Sequence, residues 1–277
     1  MNKPRSRSPL GVGDEREGRV RRTALALCAF GLLIAPPMGA QLLVDPLEVT
    51  ITTSAAGRVT ASFSLSNTSD QPVQATITRQ DWDRAENGDN RFLPAGTNGT
   101  SCGALLTASP TAIRVEPRSS RIVRLAVQGA AALPKECWDI FFVEEVPQRT
   151  GAGGNSLQYI FRTGVKVYVV PAGLKRDASV EDMAVEDASP TKRQIAIRFR
   201  NTGGTHLISK GHLEFRRLDN TLAAQVPIPE FPTLPGALRK LSIDLPAGLA
   251  AGEYVVLALI DFGGAEIVAG QIDLQAK

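Results

Sequence analysis

Apolar and polar residues take turns along much of this chain, and that pattern narrows the folds open to it. Val59, Ala61, Phe63 and Leu65 alternate with Thr60, Ser62, Ser64 and Ser66. A period of two puts each set on one face of a β-strand, one facing a core and one facing water. No stretch offers apolar residues at the 3.6-residue spacing of an amphipathic helix. Further strands are expected at Val73–Trp82, Ala104–Pro110, Ile113–Val115, Arg121–Val127, Cys137–Val146 and Leu157–Pro171, parted by turns such as Asn67–Pro72. Leu42–Thr52 carries Pro46, which a strand accepts on an edge or where it switches sheets. Asp83–Thr100 is long, polar and rich in Asn and Gly, and reads as a surface excursion. After Pro171–Ala178 the spacing begins again, from Val180–Val185 through Ile267–Leu274. The expectation is an all-β chain of two immunoglobulin-like sandwich domains joined by a short hinge.

Residues 1–40 stand apart. The basic run Arg19-Val20-Arg21-Arg22 leads into the apolar Thr23–Ala35 and then Pro36-Pro37-Met38-Gly39-Ala40. This is the layout of a secretory signal peptide, and the apolar run is too short to span a membrane. The domains are therefore expected as 1–40 leader, 41–171 first sandwich and 172–277 second sandwich, with no membrane insertion of the mature chain. The leader holds seven basic and three acidic residues, so the 31 basic and 28 acidic residues of the whole chain become 24 and 25. A net charge of −1 leaves nothing to grip nucleic acid. In an exported chain the remaining cysteines, Cys102 and Cys137, read as a disulfide closing a loop of about 35 residues, a stabilisation of roughly 3–4 kcal/mol. Two buried free thiols are the alternative. With only His206 and His212 beside them, the cysteines make no recognisable metal set.

The longest alternating run is Leu157–Pro171, where Leu157, Tyr159, Phe161, Val165, Val167 and Val169 share one face of an expected single strand. Ile160, Tyr168 and Val170 make the other face too apolar for open solvent. The glycine-rich Gln148–Ser156 precedes it. A long apolar edge strand is normally an aggregation hazard, so its presence here points to use.

Several blocks then stop being generic: Ser109-Pro110, Val115-Glu116-Pro117, Arg121–Leu125, Leu133-Pro134-Lys135-Glu136, Phe141-Phe142-Val143, Val146-Pro147 and Gly164–Pro171. In order and spacing they resemble the first domain of the PapD-like periplasmic chaperones of pilus assembly. Asn201 and Gly252-Glu253-Tyr254 through Asp261–Gly264 fit the second domain more loosely. The resemblance implies donor-strand complementation, in which the chaperone lends a strand to a pilus subunit whose own sandwich lacks one. It implies Leu157, Tyr159 and Phe161 as donor side chains, the alternative being that they are this domain's own core. It implies Lys166 as the anchor for the subunit's terminal carboxylate, the alternative being a solvated lysine that discourages edge pairing. Where the family usually places a second basic residue, this chain has Glu48. Either the register shifts, or Arg162 or Arg200 substitutes, or Glu48 pairs with Lys166 in the free protein.

Asp261-Phe262-Gly263 lacks the nucleotide loop and catalytic loop that would make it a kinase signature, and Gly151–Gly154 precedes a strand rather than a helix. The carboxylates Asp81, Asp83, Glu144 and Glu145 have no histidine or serine that the sequence places beside them. No enzyme and no cofactor are expected. The expected partners are a pilus or fimbrial subunit and an outer-membrane usher, and the expected compartment is the periplasm. A secreted two-domain adhesion or structural module is the competing reading.

Overall fold

Pro46 sits at the point that decides how the first strands are arranged. In a computed structural model describing residues 42–53, 59–129, 133–147, 160–189 and 192–276, the Asp45–Pro46 bond is cis and separates β1 (Leu42–Asp45) from β2 (Glu48–Thr53). β1 pairs antiparallel with β3 (Val59–Asn67), whereas β2 joins a different sheet. The chain crosses between sheets at the proline, where no ladder donor is lost.

The strands that follow are β4 (Val73–Arg84), β5 (Asn90–Leu93), β6 (Leu106–Ser109), β7 (Ala112–Val115), β8 (Ser120–Val127), β9 (Cys137–Glu145) and β10 (Arg162–Pro171). One sheet runs β1-β3-β8-β6, and the facing one runs β2-β10-β9-β4-β5 with β7 also on β4. The expected surface excursion is in part a hairpin: β5 pairs Asp81–Arg84 of β4, adding a strand where sequence polarity suggested loop. Phe92 explains it, because its ring packs edge-on against Phe142 at 5.1 Å. Of the strand expected from Leu157, β10 takes up Arg162–Pro171, Ile160 and Phe161 precede it outside the ladder, and Leu157–Tyr159 lie outside the described residues.

A second pair of sheets follows. β11 (Ala178–Ser189), β12 (Lys192–Asn201) and β15 (Leu238–Asp244) form one, in the order β11-β12-β15. β14 (Leu222–Thr233), β13 (Leu207–Arg217), β16 (Gly252–Asp261) and β17 (Val268–Ala276) form the other, in that order. The protein is thus all-β with two immunoglobulin-like sandwiches, and residues 40–277 make one compact unit.

Each sandwich has its own core. Phe63, Leu65, Val123, Leu125, Phe141 and Val167 lie in the first, and Ile195, Ile197, Phe199, Phe215 and Val256 in the second. A third cluster covers the outer face of the first domain's β10-β9-β4 sheet: Trp82, Trp138, Ile140, Phe142 and Tyr168 pack with Leu234 from the second sandwich. This accounts for β9. Its near-continuous run of buried residues has Cys137, Phe141 and Val143 facing the core and Trp138, Ile140 and Phe142 facing the junction. A strand covered on both sides has no reason to alternate polarity.

Candidate functional site

β10 changes its neighbours halfway along. From Lys166 to Pro171 it is paired on both sides, antiparallel with β9 and parallel with β2 in the register Lys166↔Glu48 through Pro171↔Thr53. From Arg162 to Val165 it pairs with β9 alone, and among the described residues no strand lies on its other side. The step falls where β2 begins: the Lys166 amide donates to the Leu47 carbonyl at 2.9 Å. Successive residues of a strand direct their backbone groups to opposite neighbours. The Lys166 amide faces β2, so the amides and carbonyls of Gly164 and Arg162 face the open side. The Phe161 carbonyl faces the other way and accepts from the Glu145 amide at 3.1 Å.

Why the strand begins at Arg162 is visible in its partner. β9 ends at Glu145, because Val146 precedes Pro147 and gives its amide to the Gln74 carbonyl of β4. Beyond Phe161 no described ladder remains to hold an extended chain. Leu157 and Tyr159 lie outside the described residues; Phe161 is half-buried and Ile160 exposed.

The side chains of β10 divide by parity. Val165, Val167 and Val169 are sealed in the first core, while Tyr168 enters the junction cluster. Gly164 is required by that second face, since a Cβ there would lie 2.7 Å from Ile140 Cδ1 and 3.1 Å from Phe142 Cε1. Lys166 sits at the boundary of the open segment. Its Nζ is 2.9 Å from Glu48 Oε1 and 5.1 Å from the centroid of the buried Trp82 ring, a cation–π position. Its side chain is 17% exposed and that of Glu48 53%. Of the three arrangements open to Glu48, the free chain adopts the direct pair with Lys166. Arg162 instead lies 3.7 Å over the Phe142 ring and 3.8 Å from Glu144. Arg200 is bonded to Glu181 and to the Gly236 carbonyl within the second sandwich.

Two polar groups escaped sequence reasoning. Glu136 is fully buried: Oε2 accepts from the Thr205 hydroxyl at 2.6 Å and the His206 amide at 2.7 Å, and Oε1 lies 2.7 Å from His206 Nδ1. The His206 ring stacks on Tyr168 with centroids 4.2 Å apart. Burial pushes the Tyr168 phenol well above its ordinary value, and the charges of Glu48 and Glu136 add to the effect. The second group is Asp81 with Asp139, adjoining across β4 and β9 one step beyond the Gln80↔Ile140 pair, and both are fully buried. The Ser101 hydroxyl donates to Asp139 Oδ1 at 2.6 Å. Beside them the Cys102–Cys137 disulfide is formed, fastening the turn at Gly103–Leu105 to the start of β9. A serine partner for a carboxylate was therefore present, but twenty residues away from Asp81, where only the fold could reveal it.

Comparison with known proteins points one way. Residues 44–175 match the family described as pili and flagellar-assembly chaperone, PapD N-terminal domain. Over 104 residues the chain is 28% identical to the probable fimbrial chaperone YadV of Escherichia coli strain K12, a match covering 34% of this chain and 42% of that relative. It thus spans less than half the length of the curated relative it matches. Among solved structures, one titled as a chaperone–tip adhesin complex vital for synergistic activation of CFA/I fimbriae biogenesis contains a similar chain (11% identity, TM-score 0.51, 86% of this chain and 100% of that one). The crystal structure of the YadV chaperone is also similar (19% identity, TM-score 0.47, 85% of this chain and 100% of that one). Residues 44–175 are thus similar to the PapD N-terminal domain of the pili and flagellar-assembly chaperones.

Proposed function

We propose that this protein is a periplasmic chaperone that binds pilus or fimbrial subunits by donor-strand complementation and passes them to an outer-membrane usher. Residues 1–40 would direct export, 41–171 would form the sandwich that lends its strand, and 172–277 would form the second sandwich. The observation that carries the reading is the open segment of β10, a strand edge whose outward backbone groups have no strand partner among the described residues and that ends at a lysine. An incoming strand adds main-chain hydrogen bonds there, and alternate side chains of the lending strand fill the subunit's open groove. Leu157, Tyr159 and Phe161 are assigned to that filling. Each such side chain is worth about 1.5–3 kcal/mol when fully buried, before the cost of ordering the segment is subtracted. Lys166 is assigned to hold the subunit's terminal carboxylate, which fixes a register that would otherwise slip by whole residues. None of these steps needs ATP or a cofactor.

The test is co-expression with a pilus subunit encoded beside this gene, with recovery of soluble subunit as the readout. Lys166→Ala and Phe161→Asp are each expected to lower recovery at least several-fold while leaving the chaperone folded. Unchanged recovery in both variants would overturn strand lending and favour a self-contained adhesion or structural module.

A further inference from the structure

β2 runs parallel to β10 and occupies its edge from Lys166 onward, so any strand entering the open segment lies in line with β2 and meets Leu47 and Glu48 head-on. If it runs parallel to β10, as β2 does, the end that arrives there is its carboxyl terminus. Among the described residues the cation paired across from Glu48 is Lys166, and Lys166 is already bonded to Glu48. We propose that Glu48 is an internal competitor for Lys166, which a partner's terminal carboxylate must displace before the strand can seat in register.

Two effects act in the same direction. The Glu48–Lys166 bond has to open, and it is weak enough to open because Glu48 is half exposed. The arriving carboxylate then stands beside a second carboxylate with one ammonium between them, and like charges at that range repel. The Trp82 ring on another side of Nζ adds attraction for the ammonium. Arg162 and Arg200 are engaged by Glu144 and Glu181 and do not complete the site. Glu48 therefore lowers the affinity for carboxylate-ended strands specifically, which makes capture reversible and places more of the binding on the apolar contacts upstream. This inference rests on the reading of Lys166 as the carboxylate anchor.

The test uses the full mature chain and a short synthetic peptide alternating valine and serine, made once with a free carboxyl terminus and once as the terminal amide. Binding is followed by fluorescence anisotropy. Glu48→Gln is expected to bind the acid peptide about tenfold more tightly than the native chain, equivalent to ~1.4 kcal/mol, and the amide peptide with unchanged affinity. An equal gain for both peptides, no gain for the acid form, or a loss for the acid form overturns the proposal. Adding Lys166→Met to Glu48→Gln is expected to abolish the gain. If it does not, the anchor reading fails, and this inference with it. If neither peptide binds any variant, the open-edge reading itself fails and takes both others with it.

Discussion

Asp139 shows what burial does to a single carboxyl group. It is fully enclosed, its Oδ1 takes the Ser101 hydrogen bond, and its Oδ2 has no hydrogen-bond partner, only Arg79 Nη1 at 3.9 Å. Burial pushes its pKa up to about 6; the Ser101 bond and Arg79 pull the other way and the charge of Asp81 adds to the rise. Asp81 behaves oppositely. Burial opposes its ionisation too, but hydrogen bonds from the Asn98 and Thr97 amides, at 2.7 and 2.8 Å, outweigh it and hold its pKa below the ordinary value. The sign for stability follows from the direction of each shift. Asp139 binds its proton more tightly folded than unfolded, so its contribution is full below pH ~4 and is lost as pH rises through about 6. Asp81 contributes above pH ~4 and its contribution is lost in stronger acid. The protein is therefore expected to gain stability as pH falls from 7.5 to 5, by roughly 1.4 kcal/mol from this group. Asp139→Asn should flatten that rise in chemical denaturation, and equal slopes in native and variant chains would count against the assignment. Nothing in the sequence marked this pair, because Asp81, Ser101 and Asp139 come together only through the β4–β9 register and the loop that the disulfide fastens.

β10 was legible in its interior and not at its start. Val165, Val167 and Val169 alternate, and all three lie in the first core. Where an element begins depends on its neighbours, and those are set by Pro147 ending β9 and Pro46 delaying β2, each far from Leu157 in sequence. The same reason hid β5, whose polar sequence is drawn into a hairpin by one aromatic contact, Phe92 on Phe142. The lysine of the site was marked only by the resemblance that Gly164–Pro171 helps to carry, while its bond to Glu48 depended on a parallel register that local pattern does not encode. That register makes a prediction for the backbone. The amides of Lys166 and Tyr168 face β2, whereas those of Gly164 and Arg162 face the open side. Hydrogen exchange of the free protein should be slow at the first two and at least tenfold faster at the second two, since an amide without a partner needs no opening event to exchange. Comparable protection at Gly164 and Lys166 would mean that another segment covers the edge.

At the scale of the whole chain, the two sandwiches are fastened by a polar clamp set inside an apolar cover. Glu136 belongs to the first sandwich and all three of its side-chain partners belong to the second, namely the Thr205 hydroxyl, the His206 amide and His206 Nδ1. Around them Leu234 and Ala237 close over Trp82, Trp138, Ile140, Phe142 and Tyr168, while the Glu86 carbonyl accepts from the Lys240 amide and from Arg239. The apolar cover supplies adhesion without direction. The carboxylate supplies direction, because three donors can reach it only when the domains sit at one angle. Replacing Glu136 by alanine leaves those buried donors without an acceptor, at a cost of about 1–3 kcal/mol for each group that water cannot reach. It leaves both sandwich cores intact. The expected outcome in calorimetry is that a single transition of the native chain separates into two, with the first sandwich melting earlier because its outer sheet face is now uncovered. Solution scattering should show a broader range of domain angles in the same variant. A single unshifted transition would mean that the apolar cluster alone sets the angle. The geometry of the cleft beside Lys166 would then owe nothing to Glu136.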